Sequence, residues 1–238
     1  MRTRTKRAQT PPTMNSQLKN NLETIKKNIT KFSNENQKVT LLAVSKTQSE
    51  VKIQEAIDCK IINFGENRVQ EAEKKFKNKP PSINLHLIGH LQTNKANKAV
   101  ELFDTIQTID TLKIAKKVNE ASRKIDKHQK IFCQINIGND LQKKGFSKEG
   151  FLEEIEKILS FKNLKLQGLM TILPMGIDKE KTAQLYLEMK KLKTTIDKQH
   201  NTQLELSMGM SGDYVEAIKL GATMVRVGTL LFGERTRQ

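Results

Sequence analysis

The chain is poor in residues that crosslink or stack, since its 238 residues include two cysteines, no tryptophan and only 5% aromatics. Cys59 and Cys133 lie in apolar surroundings, which indicates buried thiols rather than a disulfide and favours a reducing, cytoplasmic compartment. No apolar run approaches the roughly 18 residues of a membrane span, and no secretory signal is visible at the start. These absences argue against a disulfide-stabilised secreted domain and predict no membrane partner.

The net charge of +16 points first to nucleic acid. The lysines, however, are spread over nearly every predicted helix and interleaved with glutamate, as in EAEKK (residues 71–75). No basic stretch alternates with the stacking aromatics that single-strand binders require. We therefore predict no specific nucleic-acid partner, and keep as an alternative a polyanion-binding protein whose affinity falls steeply with salt.

Residues 1–13 differ from the rest, because they are basic without acidic residues and include two consecutive prolines. This composition predicts a disordered basic tail, and the segment lacks the apolar face of a transit peptide. Met14 is an alternative start, and the folded domain is predicted for residues 14–238.

Beyond the tail, strand patterns alternate with helix patterns. An amphipathic helix over residues 15–34 carries apolar residues at steps of three and four. The predicted strands lie at residues 40–46, 61–67, 84–90, 103–110, 130–138, 164–173, 203–209 and 223–228. Because strict alternation implies parallel strands, we predict an α/β fold, a single (β/α)8 TIM-type barrel with an extra N-terminal helix. A doubly wound sheet is the alternative, although no glycine-rich loop follows the first strand.

In such a barrel, ligands bind at the carboxyl ends of the strands, and phosphates favour the last two loops. Those loops read SMGMSGD (residues 207–213) and RVGT (residues 226–229), and a helix predicted to begin near Ser211 adds N–H donors. Arg226 lies inside an apolar strand and should have an anionic or acceptor partner. Lys46 ends the first strand, beside the eighth in a closed barrel. A lysine next to a phosphate site is suited to hold pyridoxal 5'-phosphate (PLP) as a Schiff base.

Simpler interpretations stay open for these residues. Lys46 marks the end of a strand in a lysine-rich chain, and Ser211 is an ordinary helix cap. Elsewhere, His86 and His90 are separated by roughly 13 Å on one strand, which does not suit a metal site. The lysines at 143–144 are expected to meet only solvent, and Glu66 with Asp213 forms an acid pair of unknown separation.

Five motifs in order resemble the pyridoxal phosphate homeostasis protein family. They are LLAVSKT (41–47), FGENRVQE (64–71), HLIGHLQTNK (86–95), LSMGMSGD (206–213) and VRVGT (225–229), the last followed by FGER (232–235). The resemblance spans residues 18–235 and implies a single-domain barrel similar to the amino-terminal domain of alanine racemase. The basic tail is the main departure from the family.

The resemblance also implies individual roles. Lys46 would carry PLP, Arg226 would face the pyridine nitrogen, and the remaining residues would hold the phosphate (Ser211, Gly228, Thr229) or line the ring pocket (Asn67, Met208). The function implied is intracellular PLP and amino-acid homeostasis without robust catalysis. PLP-dependent apo-enzymes are the expected recipients, and the chain is expected to be a monomer or weak dimer.

An alanine-racemase-like enzyme acting on amino acids is the alternative function. A cation opposite the pyridine nitrogen weakens the ring as an electron sink, and racemisation needs a second base on the face opposite the lysine. The chain has two tyrosines for that role. Tyr186 fits a packing role in the middle of a helix, whereas Tyr214 lies near the proposed phosphate site and stays a candidate.

Overall fold

The computed structural model describes residues 14–234 and shows eight parallel strands that close into a barrel. Each strand pairs with its neighbour in sequence, and β1 pairs with β8 to complete the ring. The strands are β1 Thr40–Val44, β2 Asn63–Glu66, β3 Asn84–Leu87, β4 Thr105–Ile109, β5 Gln129–Gln134, β6 Leu164–Met170, β7 Glu205–Met210 and β8 Met224–Val227. The predicted (β/α)8 barrel is confirmed. The disordered tail predicted for residues 1–13 lies outside the described residues.

Helices connect the strands and surround the barrel. They are α1 Met14–Phe32, α2 Glu50–Asp58, α3 Val69–Phe76, α4 Ala96–Leu102, α5 Leu112–Lys124, α6 Lys148–Leu159, α7 Lys179–His200, α8 Tyr214–Lys219 and α9 Thr229–Phe232. The helix α1 precedes the barrel, as predicted, and the single-turn helix α9 was not predicted. None of these helices, within the described residues, is long and apolar enough to cross a bilayer.

Two apolar layers hold the barrel together, because alternate residues of each strand face its inside and its outside. The outer layer lies between the strands and the helices, where Phe64, Leu85 and Leu206 are fully buried. The inner layer fills the barrel and comprises Leu42, Ile88, Phe132, Met170 and Met224. The barrel interior is therefore packed, and the cavity described below lies at the carboxyl ends of the strands.

The helix α1 ties down the segments that follow β7 and β8. Its residues Leu18, Leu22 and Ile25 are buried, as their spacing predicts. The side-chain amide of Asn21 donates a hydrogen bond to the Leu231 carbonyl oxygen in α9 over 3.1 Å. The Asn28 amide similarly donates to the Tyr214 hydroxyl in α8 over 2.7 Å. The extra helix therefore supports the side of the barrel on which the candidate site lies.

Candidate functional site

A cavity of about 270 Å³ opens at the carboxyl ends of the strands, between β1, β2, β7 and β8. Six predicted site residues line it, namely Lys46, Asn67, Ser211, Arg226, Gly228 and Thr229. Six further residues line the cavity and were not predicted from the sequence, namely Val44, Gln48, Ile88, Ile172, Met210 and Gly212. Residues separated by up to about 180 positions meet here because β1 pairs with β8, with Leu42 opposite Arg226.

Lys46 follows β1 by two residues and faces the cavity together with Val44. The two residues share one side because side chains alternate along an extended chain. Ser45, between them, is fully buried on the other side of the barrel wall. Immediately after Lys46, Thr47 has a φ of +64°, a left-handed conformation that is rare for a β-branched residue. The chain thus turns sharply at the residue after the lysine.

Arg226 is a buried cation, with 4% of its surface exposed. Its Nη1 donates to the Ser207 hydroxyl over 2.9 Å, and its Nη2 donates to the Thr171 carbonyl oxygen over 2.7 Å. Among the described residues, Arg226 forms no ion pair. Tyr186 and Asp213 interact with it electrostatically at longer range, and these interactions act to raise its pKa. Burial lowers the pKa of the guanidinium, but an arginine stays charged in a protein. The cavity therefore contains a cation whose direct partners are neutral oxygens.

A hydrogen-bonded relay extends from Arg226 into the barrel. The Ser207 hydroxyl donates to Gln107 Oε1 over 2.7 Å, and Gln107 Nε2 lies 2.9 Å from His86 Nδ1. Because an amide NH₂ can only donate, His86 Nδ1 must accept and the ring carries its proton on Nε2. Burial lowers the pKa of His86 to about 4, and Lys130 adds to this while Asp104 opposes it. The relay fixes the guanidinium with a neutral histidine at its far end.

The segments that follow β7 and β8 are joined by hydrogen bonds to the Ser211 hydroxyl. The Ser211 Oγ accepts from the N–H groups of Gly228 and Leu230, each over 3.4 Å. The helix predicted to begin near Ser211 in fact begins at Tyr214, and Asp213 is its N-cap residue. Ser211 is therefore not the cap of that helix. The first of these long hydrogen bonds brings the Ser211 hydroxyl and the Gly228 N–H group together in the wall of the cavity.

Glycines allow the walls of the cavity to approach each other closely. A Cβ on Gly228 would lie 3.3 Å from the Val44 side chain, across the β1–β8 junction. A Cβ on Gly89 would lie 2.1 Å from the Asn67 carbonyl oxygen, which is closer than any real contact. Because Gly89 has no side chain, the segment after β3 can pack directly against the backbone of Asn67. Asn67 itself lines the cavity.

Met208 is the predicted site residue that the structure does not bring to the cavity. It is fully buried in the outer apolar layer, because Ser207 faces the barrel interior and its neighbour must point the other way. A bulge then adds one residue to β7, since Ser207 pairs with Met224 but Met210 pairs with Arg226. Met210 consequently reaches the cavity, with 41% of its surface exposed.

The other residues named from sequence do not line this cavity. Lys143 does not merely meet solvent, because its Nζ donates to the carbonyl oxygens of Leu173 and, over 3.5 Å, Ile172. His90 Nδ1 lies 2.9 Å from Asp110 Oδ2. No cluster of three potential metal ligands exists in the part of the chain that the structure describes.

The suggested acid pair and the two tyrosines are also engaged elsewhere. Glu66 accepts from Ser45 and Lys75, whereas Asp213 accepts from the Tyr186 hydroxyl over 2.7 Å. The Tyr214 hydroxyl accepts a hydrogen bond from the side-chain amide of Asn28 in α1. Neither tyrosine lines the cavity that holds Lys46.

Comparisons with known proteins agree on one family. Residues 20–236 match the family "Alanine racemase, N-terminal domain". The pyridoxal phosphate homeostasis protein of Synechocystis sp. is 43% identical over 200 residues, which cover 83% of this chain and 92% of that protein. The structure of PipY from Synechococcus elongatus without PLP aligns with a TM-score of 0.84 and 33% identity, over 91% of this chain and all of that one. With PLP bound, PipY aligns with a TM-score of 0.80 and 32% identity at the same coverage. The chain therefore belongs to the pyridoxal phosphate homeostasis protein family.

Proposed function

We propose that this protein binds PLP covalently and reversibly through Lys46 and acts in intracellular PLP and amino-acid homeostasis. One observation carries the proposal, namely a cavity that joins a lysine at a strand end to the buried cation of Arg226. Both the name of the 43% identical relative and the PLP-bound structure of PipY support it. PLP supplies an aldehyde to which an amine can add, and a ring that withdraws electrons from the adduct.

The residues of the cavity fit the parts of PLP. The amine of Lys46, in its unprotonated form, would add to the aldehyde carbon with loss of the carbonyl oxygen as water, and hydrolysis would reverse the step. The phosphate would be held by the N–H group of Gly228 and by the hydroxyls of Ser211 and Thr229. Asn67 and the apolar side chains of the cavity would flank the ring. Met210 takes the place first given to Met208, because Met210 is the methionine that lines the cavity.

Arg226 would face the pyridine nitrogen. Its two hydrogen bonds to Ser207 and Thr171 use two of the five N–H donors of a guanidinium. A further N–H can therefore donate to an acceptor nitrogen, and the fixed positive charge keeps that nitrogen unprotonated. An unprotonated ring is a weak electron sink, so it gives little support to carbanion chemistry on a bound amino acid. This favours a carrier or regulator over a turnover enzyme.

The racemase-like alternative requires a second base that reaches the bound substrate. The hydroxyls of Tyr186 and Tyr214 are hydrogen-bonded to Asp213 and Asn28, and neither tyrosine lines the cavity. This arrangement favours the homeostasis function. Exchange of the α-hydrogen of alanine in deuterated solvent separates the two functions, since a racemase exchanges it with turnover and a carrier does not.

The wider role follows from the same proposal. A carrier of this kind would release PLP to PLP-dependent apo-enzymes, and we expect it to work as a monomer or weak dimer. Cys59 and Cys133 are both free thiols, which fits the reducing conditions of the cytoplasm. We expect no specific nucleic-acid or membrane partner.

The test is the visible spectrum of the purified protein with PLP, compared with a Lys46→Ala variant. Borohydride reduction then fixes any Schiff base, and peptide mass mapping locates the modified lysine. Lys38→Ala is the matched control, because Lys38 is exposed and lies just before β1. We expect a Schiff-base band in the wild type and in Lys38→Ala, but not in Lys46→Ala. A band that survives Lys46→Ala, or no band in the wild type, would refute the proposal.

A further inference from the structure

We propose that Glu66, Lys75 and Glu71 form a charged bridge behind the barrel wall that positions Lys46 for its reaction. We call these three residues the Lys75 bridge. The inference rests on the proposed function, since it explains how the reactive lysine is held. It concerns positioning residues, because none of the three lines the cavity.

The bridge is centred on one ammonium group. Lys75 Nζ lies 3.0 Å from Glu66 Oε1 and 2.7 Å from Glu71 Oε1. The Lys75 side chain is only 10% exposed and that of Glu66 is fully buried. A buried carboxylate requires a cation and hydrogen-bond donors to remain charged. Lys75 therefore holds the two carboxylates together.

Each residue that flanks Lys46 is hydrogen-bonded to this bridge. The Ser45 hydroxyl donates to Glu66 Oε1 over 2.7 Å, and the Ser45 carbonyl oxygen accepts from Lys75 Nζ over 2.9 Å. On the other side, the Thr47 N–H donates to Glu71 Oε1 over 2.6 Å. The backbone of Lys46 is thus held on both sides, while its own side chain points to the opposite face of the wall.

The bridge also maintains a turn that the sequence alone would not favour. The Gln48 N–H donates to the Ser45 carbonyl oxygen over 3.0 Å, which closes a four-residue turn with Lys46 at its second position. The third position, Thr47, has the left-handed φ of +64°. Glycine or asparagine is usual at such a position, and threonine needs support from its surroundings. The hydrogen bond from Thr47 to Glu71 supplies that support.

The two carboxylates depend on Lys75 to different degrees. Burial raises the pKa of Glu66, although the hydrogen bond from Ser45 and the charge of Lys75 oppose it. For Glu71, burial also acts to raise the pKa, but the hydrogen bonds from Lys75 and Thr47 outweigh it, so that the pKa is lowered. Among the described residues, Glu66 Oε2 has no hydrogen-bond partner. Without Lys75, Glu66 would lose its cation in a site that excludes water.

The experiment replaces Lys75 with methionine, which keeps the chain length and removes the charge. Lys74→Met is the matched control, because Lys74 is the preceding residue of α3 and is exposed. Lys75→Arg restores a cation. Glu71→Gln, at a partly exposed position, is a milder variant for the case in which Lys75→Met does not fold.

Two readouts do not need bound PLP. The first is amide hydrogen exchange of Thr47, and the second is the rate at which acetic anhydride modifies Lys46 relative to Lys38, followed by mass mapping. We expect Thr47 exchange to accelerate in Lys75→Met, and Lys46 acetylation to accelerate at least about threefold as the side chain leaves the cavity. We further expect PLP affinity to fall by about tenfold or more, as for a lost charged hydrogen bond. Lys75→Arg should recover most of each effect, and Lys74→Met should show none.

The inference would be overturned if Thr47 exchange accelerates in Lys75→Met while Lys46 acetylation and PLP affinity stay at wild-type values, because the bridge would then be merely structural. Equal effects in Lys74→Met would also overturn it, since they would indicate a loss of general surface charge. If the wild type forms no Schiff base at Lys46, the proposed function fails. The acetylation ratio still decides whether the bridge positions the lysine.

Discussion

The buried histidine at the end of the relay makes the stability of this protein depend on pH in a calculable way. The folded state keeps His86 neutral, because burial lowers its pKa from 6.5 to about 4. The unfolded chain takes up a proton near the ordinary value. Each pH unit of such a shift corresponds to about 1.4 kcal/mol. The full contribution of His86 is therefore about 3 kcal/mol.

The sign follows from proton binding. Above pH 6.5 His86 is neutral in both states, so its contribution is fully present. As the pH falls towards 4, the unfolded state binds a proton that the folded state does not, and the free energy of unfolding decreases. A protonated ring would also present an N–H at Nδ1 to the NH₂ of Gln107, which breaks the relay.

The assay is urea unfolding of the wild type and of His86→Asn at about pH 7.5 and about pH 4.5. Asparagine places an amide oxygen near the position of Nδ1 and does not titrate. The stability lost because its side chain is smaller is therefore the same at both pH values. We expect the wild type to lose about 2–3 kcal/mol more than the variant between the two conditions. Burial also raises the pKa values of Glu66 and Glu205, but both residues are common to the two proteins, so their contribution cancels in the comparison. If the difference between wild type and variant does not change with pH, the structural assignment of His86 is wrong.

Two further substitutions and one labelling experiment test individual features of the fold. Gly89→Ala should destabilise the fold by about 2 kcal/mol or more in urea unfolding, because the new Cβ meets the carbonyl oxygen of Asn67. Burial raises the pKa of the Cys133 thiol, so in the native protein a thiol reagent should modify Cys59 and leave Cys133 intact. Asp178→Ala should cost about 0.5–2 kcal/mol, because Asp178 caps α7 by accepting the Lys181 N–H over 2.7 Å.

Matched variants make these outcomes specific. Gly212→Ala should change the free energy of unfolding by no more than about 0.5 kcal/mol, since a Cβ there meets no atom within 4 Å. Asp178→Asn keeps a capping oxygen and should retain most of the stability. The close approach at Gly89 would be contradicted if Gly89→Ala left the free energy of unfolding unchanged. Rapid labelling of Cys133 in the folded protein would contradict its burial, and an equal loss of stability in both Asp178 variants would contradict the cap.

The architecture was predictable because it depends on patterns that local sequence carries. Strand and helix periods alternate from Thr40 to Val227, and closure of the barrel follows from the number of repeats. Short features were not predictable in this way. The bulge of β7 appears only in its pairing with β8. Helix α8 begins at Tyr214, later than Ser211 suggests, and Asp213 at its N-cap position makes no side-chain capping hydrogen bond.

The candidate site was predictable where a residue type is unusual in its place, as with Arg226 in an apolar strand or Lys46 at a strand end. Hydrogen-bond partners that meet only through the pairing of strands in the folded barrel could not be predicted from the sequence. Gln107 and Ser207 are 100 residues apart and meet across the inside of the barrel. Lys75 is one of two consecutive lysines in α3, and only the structure distinguishes it from the exposed Lys74. Alternation along β1 would have identified Val44 as a neighbour of Lys46 in the cavity.

The pairing of β1 with β8 has a consequence for synthesis. Lys46 is synthesised well before Arg226 and Gly228, so the pocket is completed only after β8 has been made and paired with β1. A ligand that must contact residues of both β1 and β8 cannot bind before β8 has been made. Binding of such a ligand therefore indicates that the barrel has closed. Such a ligand also stabilises the closed ring by mass action, because an open barrel does not bring the residues of β1 and β8 together around it. Cofactor supply would in this way favour completion of the fold itself.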